Sequence, residues 1–526
     1  MEMSPMRNIK KDQKSSARRS RRRVWKLKIS LTWSAIRKAV KGSFKPHHFH
    51  LSCGPSLKHL SSTRVHQHAI NIAPHRAKKN PTKPLAALLL KPYSASDFID
   101  YGDHMTPTKS PRDNISTNWR EIHGQQNWDG LLEPLHPSLR REIIKYGEFV
   151  EATYDAFDFN PFSEFCGSCR YNRHKLFEEL GLTGNGYKVT KYIYAMSHVD
   201  VPKWLERSEM GRTWSKDSNW MGYVAVSSDI ETERIGRRDI VVAWRGTVAP
   251  SEWFMDLKTK LDRFGSKQSR IQVQHGFLSI YKSKSEETRY NKLSASEQVM
   301  EELNRLVIFF QERGEEVSLT ITGHSLGGAL SLLNAYEAAT TFPNLFISVI
   351  SFGAPRVGNI FFKEKLRVLG VKTLRVVVKQ DIVPKLPGIV FNKILRKLNP
   401  ITERLNWVYR HVGVQLKIDK MKSPYLKQDS DLSGSHNLEL YLHLLDGYLS
   451  KKSKFRWNAR RDIALVNKSS DILIEELRIP EFWYQLPHKG LVLNKHGRWV
   501  KPGRQPEDIP SPCPNDASTH ILAIST

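Results

Sequence analysis

The chain has 526 residues, of which 39% are hydrophobic and 10% aromatic. This excludes a wholly disordered chain and allows one large domain or two to three smaller ones. Four cysteines exclude a disulfide-built fold, and no apolar run approaches the ~20 residues of a membrane-spanning helix. The formal net charge of +29 points to an anionic partner only until it is mapped: residues 1–95 carry 22 Lys/Arg against two acids, Glu2 and Asp12, while the remainder carries 60 against 51.

Residues 1–95 are rich in Arg, Lys, Ser and His and contain no apolar stretch of the kind a secretory signal needs. That is the composition of an organelle transit peptide, read as a chloroplast address. The mildly amphipathic "ISLTWSAIRKAV" keeps a mitochondrial address open. The competing reading is a basic arm for nucleic acid or anionic lipid, and "ARRSRRR" (17–23) has the form of a nuclear address. A nucleic-acid binder should interleave aromatic and basic residues into its folded part, which this chain does not. The polar, Pro-bearing residues 96–117 read as a linker, with order beginning near Trp119.

From there, apolar strand-like runs alternate with helical patterns, which predicts an α/β fold. Cys166-Gly-Ser-Cys169 is a CxxC without a second pair at zinc-binding spacing, so structural thiols are expected, with a redox-sensitive pair as the alternative. "DIVVAWRG" (239–246) reads as a buried strand. "SASEQVMEELNRLVIFFQERG" (294–314) reads as a helix opened by a Ser294/Glu297 capping box, with Val299, Leu303, Leu306, Val307 and Phe310 on one face. "VSLTIT" (317–322), "LFISVISFG" (345–353) and "LRVVVKQ" (374–380) are the next strands, separated by helical segments as parallel crossovers require. Residues 501–526 are Pro-rich and read as a disordered tail.

Gly323-His324-Ser325-Leu326-Gly327 is a G-x-S-x-G between a strand and a helix, the setting of a nucleophile elbow. A serine nucleophile needs a base and an orienting acid, in the chain order Ser, Asp or Glu, His. Asp381 follows a strand at its carboxyl end, with turn capping before Pro384 as the bland alternative. For the base, His436 at the mouth of a loop is favoured over His443, which lies among Leu442, Leu444 and Leu445. His411 is a distant third, and His324 is read as structural. The backbone N–H groups of Leu326 and Thr247 are the expected oxyanion donors. No metal-ligand cluster or cofactor motif is evident.

These residues carry a resemblance. "AWRGT" (243–247), "GHSLGGAL" (323–330), "FGAPRVGN" (352–359), "KQDIVPKLPG" (379–388) and "HNLELYLHLLDG" (436–447) resemble the class 3 lipases of the α/β-hydrolase fold. "WREIHGQQNWDGLLEPLHPSLRREIIKYGEF" (119–149) and "YDAFDF" (154–159) add a likeness to the plant class I phospholipase A1 group of chloroplast lipases. The likeness spans roughly residues 118–500, with a C-terminal extension from about 451. It supports Ser325, Asp381 and His436 as a triad, and departs from the family pattern at Asn437, where Asp is usual. It implies peripheral action at a membrane surface, without cofactor or nucleic acid. The reaction implied is hydrolysis of the sn-1 acyl ester of glycerolipids: phosphatidylcholine, galactolipids and some triacylglycerol. A general carboxylesterase or neutral-lipid lipase and a non-catalytic lipase-like scaffold remain as alternatives. Fungal relatives place a lid after the oxyanion strand, so Trp253, Phe254, Met255 and Leu257 are expected to cover the site, with a core helix as the other reading.

Overall fold

The strand-like runs of the sequence become the inner strands of one sheet in the computed structural model. It describes residues 113–159, 166–196, 218–247, 260–387 apart from 267 and 289, 409–428, 434–456, 461–484, 492–493, 496 and 498–500. The basic region 1–95, most of the 96–117 segment, the 501–526 tail and the lid residues Trp253, Phe254, Met255 and Leu257 lie outside the described residues.

Among the described residues the sheet has seven strands: β1 (Tyr187–Ala195), β2 (Asn219–Ser227), β3 (Arg238–Trp244), β4 (Val317–His324), β5 (Phe346–Phe352), β6 (Lys372–Val378) and β7 (Val414–Ile418). They lie side by side in chain order. β1–β2 and β2–β3 pair antiparallel, and β3 through β7 pair parallel. The helices are α1 (Pro137–Asp155), α2 (Ala295–Glu312), α3 (Leu326–Thr341), α4 (Ile360–Val368) and α5 (Leu438–Gly447). Shorter helices fill the gaps.

Strand alternation divides the core in two. On β3, Val241 and Ala243 join the cluster that contains Leu139, Ile143 and Phe149 of α1 and Leu440, Tyr441 and Leu444 of α5. Ile240 and Val242 join the opposite cluster, with Leu303, Leu306 and Phe310 of α2, Leu330 and Leu333 of α3 and Phe362 of α4. Successive side chains point to opposite faces of a strand, so a strand buried throughout must be covered on both. The result is the three-layer α/β architecture that the sequence predicts.

The local signals appear as expected. Ser294 caps α2 through the Glu297 N–H while the Glu297 carboxylate accepts from the Ser294 N–H, a complete capping box. The linker boundary needs correction. Ile115 is 2% exposed, packs with Trp119 and Ile235, and donates its N–H to the Arg234 carbonyl, so packed structure begins ahead of residue 118. An isolated apolar residue in a polar stretch carries too little periodicity to reveal this. Cys166 and Cys169 are not bridged to each other; Cys169 is buried and its thiol donates to the Tyr192 hydroxyl at 3.3 Å, while burial pushes the Cys166 thiol pKa up. No helix among the described residues is long and apolar enough to cross a membrane.

Candidate active site

The parallel strands end at one edge of the sheet, and there the turn between β4 and α3 carries Ser325. Its backbone sits at φ +60°, ψ −123°. A non-glycine residue rarely adopts this conformation, and the strain persists only where the surroundings enforce it. The enforcement is visible in the flanking glycines. A Cβ on Gly323 would collide with the Gly327 carbonyl, and one on Gly327 with the Trp244 carbonyl. The turn therefore closes only with glycine at both positions. The Ser325 N–H is tied to the Phe352 carbonyl of β5 at 2.9 Å.

Three distant side chains meet at this corner. Ser325 Oγ lies 2.8 Å from His436 Nε2, and His436 Nδ1 lies 2.6 Å from Asp381 Oδ2. The carboxylate accepts at Nδ1, so Nδ1 carries the proton and Nε2 is free to accept from the serine hydroxyl. All three residues are buried.

Asp381 follows β6 and divides its two oxygens between two tasks. Oδ1 accepts the Val383 N–H at 2.8 Å, which is the turn capping that the bland reading supposed. Oδ2 accepts from His436 and also from the Tyr441 hydroxyl at 2.5 Å. Tyr441 was not among the residues that the sequence pointed to. It lies on α5, which begins just after His436, and its ring belongs to the apolar cluster, so its pattern reads as core. Burial, and then Asp381, push its phenol pKa well above the usual value, so it stays a neutral donor.

His436 ends a short turn, Gly434–His436, that leads into α5. Asn437 is the cap of that helix, its side-chain oxygen accepting the Leu440 N–H at 3.2 Å. Asn and Asp cap almost equally well, so Asn437 can take the same structural place at the helix start as an Asp.

The other histidines are elsewhere or otherwise engaged. His443 lies inside α5 with Nε2 2.9 Å from Ser423 Oγ, and burial, reinforced by Arg461, pulls its pKa down to about 3. Burial and the nearby Arg375 and Arg356 hold His411 at about 3. His324 stacks beside His436 with ring centroids 4.5 Å apart, and its Nδ1 lies 2.8 Å from the Tyr154 hydroxyl. Burial, and then the neighbouring His436, hold it well below the ordinary histidine pKa, so it is neutral.

The candidate oxyanion donors flank the serine. Leu326 is the first residue of α3, where a helix leaves N–H groups unbonded and favours negative charge. On the other side, a Cβ on Gly246 would come within 3.1 Å of Ser325 Cβ and would strike the Tyr154 hydroxyl and the His324 carbonyl. Glycine thus lets the backbone preceding Thr247 lie against Ser325. Thr247 is 3% exposed, and among the described residues its buried hydroxyl has no hydrogen-bond partner. Among the described residues no group of three or more His, Cys, Asp or Glu side chains is arranged to hold a metal ion.

Residues 241–391 match the family Lipase (class 3). Over 406 residues the chain is 47% identical to Phospholipase A1-Igamma1, chloroplastic, of Arabidopsis thaliana, covering 74% of this chain and 79% of that protein. The chain belongs to the class 3 lipase family. A second member from the same plant, Phospholipase A1-Igamma2, chloroplastic, is 45% identical over 408 residues, covering 74% of this chain and 77% of the relative. Among solved structures, lipase II from Rhizopus niveus aligns at 21% identity over 54% of this chain and 82% of its own length, with a TM-score of 0.33. Both plant relatives carry chloroplastic in their names, in line with the address read from residues 1–95.

Proposed function

We propose that this class 3 lipase family member is a serine acyl hydrolase of the chloroplast that cleaves the sn-1 acyl ester of glycerolipids at a membrane surface. Ser325 is the nucleophile, His436 the general base and acid, Asp381 the residue that orients the imidazole, and the Leu326 and Thr247 N–H groups the oxyanion donors. As Ser325 Oγ attacks the ester carbonyl carbon, its proton passes to His436 Nε2. The carbonyl oxygen becomes an oxyanion between the two N–H groups. His436 then protonates the departing glycerol oxygen, leaving the acyl group on Ser325. A water, deprotonated by the same Nε2, attacks the acyl-enzyme and releases the free fatty acid, restoring the serine proton. Asp381 orients the imidazole throughout through its bond to Nδ1.

The observation that carries this reading is the unbroken hydrogen-bond chain Ser325–His436–Asp381, at 2.8 and 2.6 Å, seated on a strained corner. The lipid class is supported by relatives named phospholipase A1 at 45–47% identity. Phosphatidylcholine and galactolipids are the expected substrates, with triacylglycerol a lesser one.

The test incubates the full chain with phosphatidylcholine and monogalactosyldiacylglycerol vesicles, differently labelled at sn-1 and sn-2, beside Ser325→Ala. Release of the sn-1 label by the parent and none by the variant supports the proposal. Equal release from both positions, or turnover of triacylglycerol and simple esters alone, replaces it with a neutral-lipid lipase or carboxylesterase. No turnover of any ester replaces it with a scaffold.

A further inference from the structure

We propose that Arg245 is a positioning residue for acyl transfer: it grips the Gly246 carbonyl and thereby aims the Thr247 N–H at the oxyanion. The inference rests on the Ser325 reading above and adds a residue to it.

Arg245 immediately follows β3 and is fully buried. One arm of its guanidinium is rooted in the neighbouring strand, with Nε donating to the Trp220 carbonyl at 2.9 Å and Nη2 lying 3.5 Å from Met221 Sδ. Its own backbone N–H donates to the Met221 carbonyl at 2.7 Å. The guanidinium plane rests on Phe157, with its carbon 3.6 Å from the ring centroid. From this anchored position Nη1 reaches back and donates to the Gly246 carbonyl at 3.0 Å.

That last bond sets a direction. A trans peptide is planar, with C=O and the following N–H pointing opposite ways. Fixing the Gly246 carbonyl toward the guanidinium therefore fixes the Thr247 N–H away from it. The same Gly246 packs against Ser325, where a Cβ would lie 3.1 Å from the serine Cβ. The peptide held at its oxygen by Arg245 is thus the one beside the nucleophile. A donor locked before the reaction needs no reorganisation when charge develops. A cation at the peptide oxygen also polarises the amide and strengthens its N–H as a donor. Burial lowers the guanidinium pKa to about 9, which leaves the charge in place at neutral pH. The rigid fork of arginine makes these bonds in several directions at once, which lysine cannot.

The test compares the full chain, Arg245→Lys, Phe157→Leu and Ser325→Ala on a soluble p-nitrophenyl ester and its thionoester, in which sulfur replaces the carbonyl oxygen. Sulfur accepts hydrogen bonds poorly, so the ester-to-thionoester rate ratio reads the oxyanion donors and not general folding. Arg245→Lys should lower kcat on the ester about 100-fold with KM within about twofold, the size of losing one oxyanion donor. The thionoester rate should fall less, so the ratio drops about tenfold or more. Phe157→Leu, which removes the platform and keeps the guanidinium, should shift the ratio in the same direction by less. It decides the matter alone if Arg245→Lys does not fold. An unchanged ratio in the folded variants overturns the role of Arg245. If Ser325→Ala is inactive in that case, the acyl-transfer reading stands without it. Activity in Ser325→Ala overturns both.

Discussion

Arg461→Met should destabilise the chain far more than an ordinary ion pair would. Arg461 comes from the C-terminal extension and donates to Glu439 through Nε and Nη2, at 2.7–3.1 Å, and to Glu148 of α1 through Nη1 at 2.7 Å. The side chains of Arg461, Glu148 and Glu439 are 4%, 2% and 2% exposed. Solvent therefore screens little of the interaction. Removing the cation takes from two buried carboxylates the guanidinium they share, a loss of about 3–5 kcal/mol when one partner of such a group is deleted. Glu439 lies on α5 three residues after His436, so the same contact fixes the helix that directly follows His436. The assay is urea unfolding followed by tryptophan fluorescence, with an unchanged slope so that the midpoint reports stability. The triple variant Arg461→Met, Glu148→Met, Glu439→Met removes the stranded charges as well. It should recover most of the loss, because apolar replacement of a whole buried ionic group is often neutral or better. A single variant within about 1 kcal/mol of the parent, or a triple variant no more stable than the single, would refute the reasoning.

Gly246→Ala should reduce esterase activity at least about 100-fold, because its methyl meets the Tyr154 hydroxyl and the His324 carbonyl and crowds Ser325. Activity within tenfold of the parent would contradict the close approach. Tyr441→Phe removes one of the hydrogen bonds to Asp381 and should lower kcat/KM on a soluble ester by about tenfold, the loss of one charge-assisted bond of about 1.5 kcal/mol, with KM unchanged. A change in KM alone would argue that the phenol serves substrate binding instead. Burial holds His443 at about 3, so it is neutral in the folded chain and protonated in the unfolded chain below about 6.5. The unfolded state then binds more protons, and stability falls as pH drops through that range, by about 1.4 kcal/mol at pH 5.5 for this residue. Glu151, raised to about 7 by burial, acts in the opposite sense between about 4.5 and 7, so the informative quantity is the difference between parent and His443→Gln. Urea midpoints at pH 7.5 and 5.5 should show a less acid-sensitive variant, and parallel curves would contradict the assignment.

The fold was legible where the signal is local. β3, β4, β5 and β6 are strand-like runs buried along nearly their whole length because both faces are covered, and the Ser294/Glu297 box starts α2 by short-range bonds alone. Ser325 was legible because strand, glycines and helix all lie within one short stretch. Asp381 and His436 needed an argument from chain order and strand ends, and the structure brings both to Ser325. Tyr441 and Tyr154 escaped because their roles depend on partners 60 and 170 residues away, Asp381 and His324. An aromatic residue on an apolar helix face gives no sign of what its hydroxyl will reach. The grip of Arg245 on Gly246 was hidden for another reason: the partners are adjacent in sequence, and only the fold makes that contact directional.

The central claim is that a hydroxyl on the β4–α3 corner is activated by an imidazole steered by a buried carboxylate. The direct measurement is covalent labelling of the full chain with an alkyl fluorophosphonate, followed by peptide mass mapping, in the parent and in His436→Ala. The account predicts one adduct, on Ser325, formed rapidly in the parent and at least about 1,000-fold more slowly without the imidazole. An adduct on another residue, or labelling of Ser325 at the same rate in His436→Ala, would contradict it.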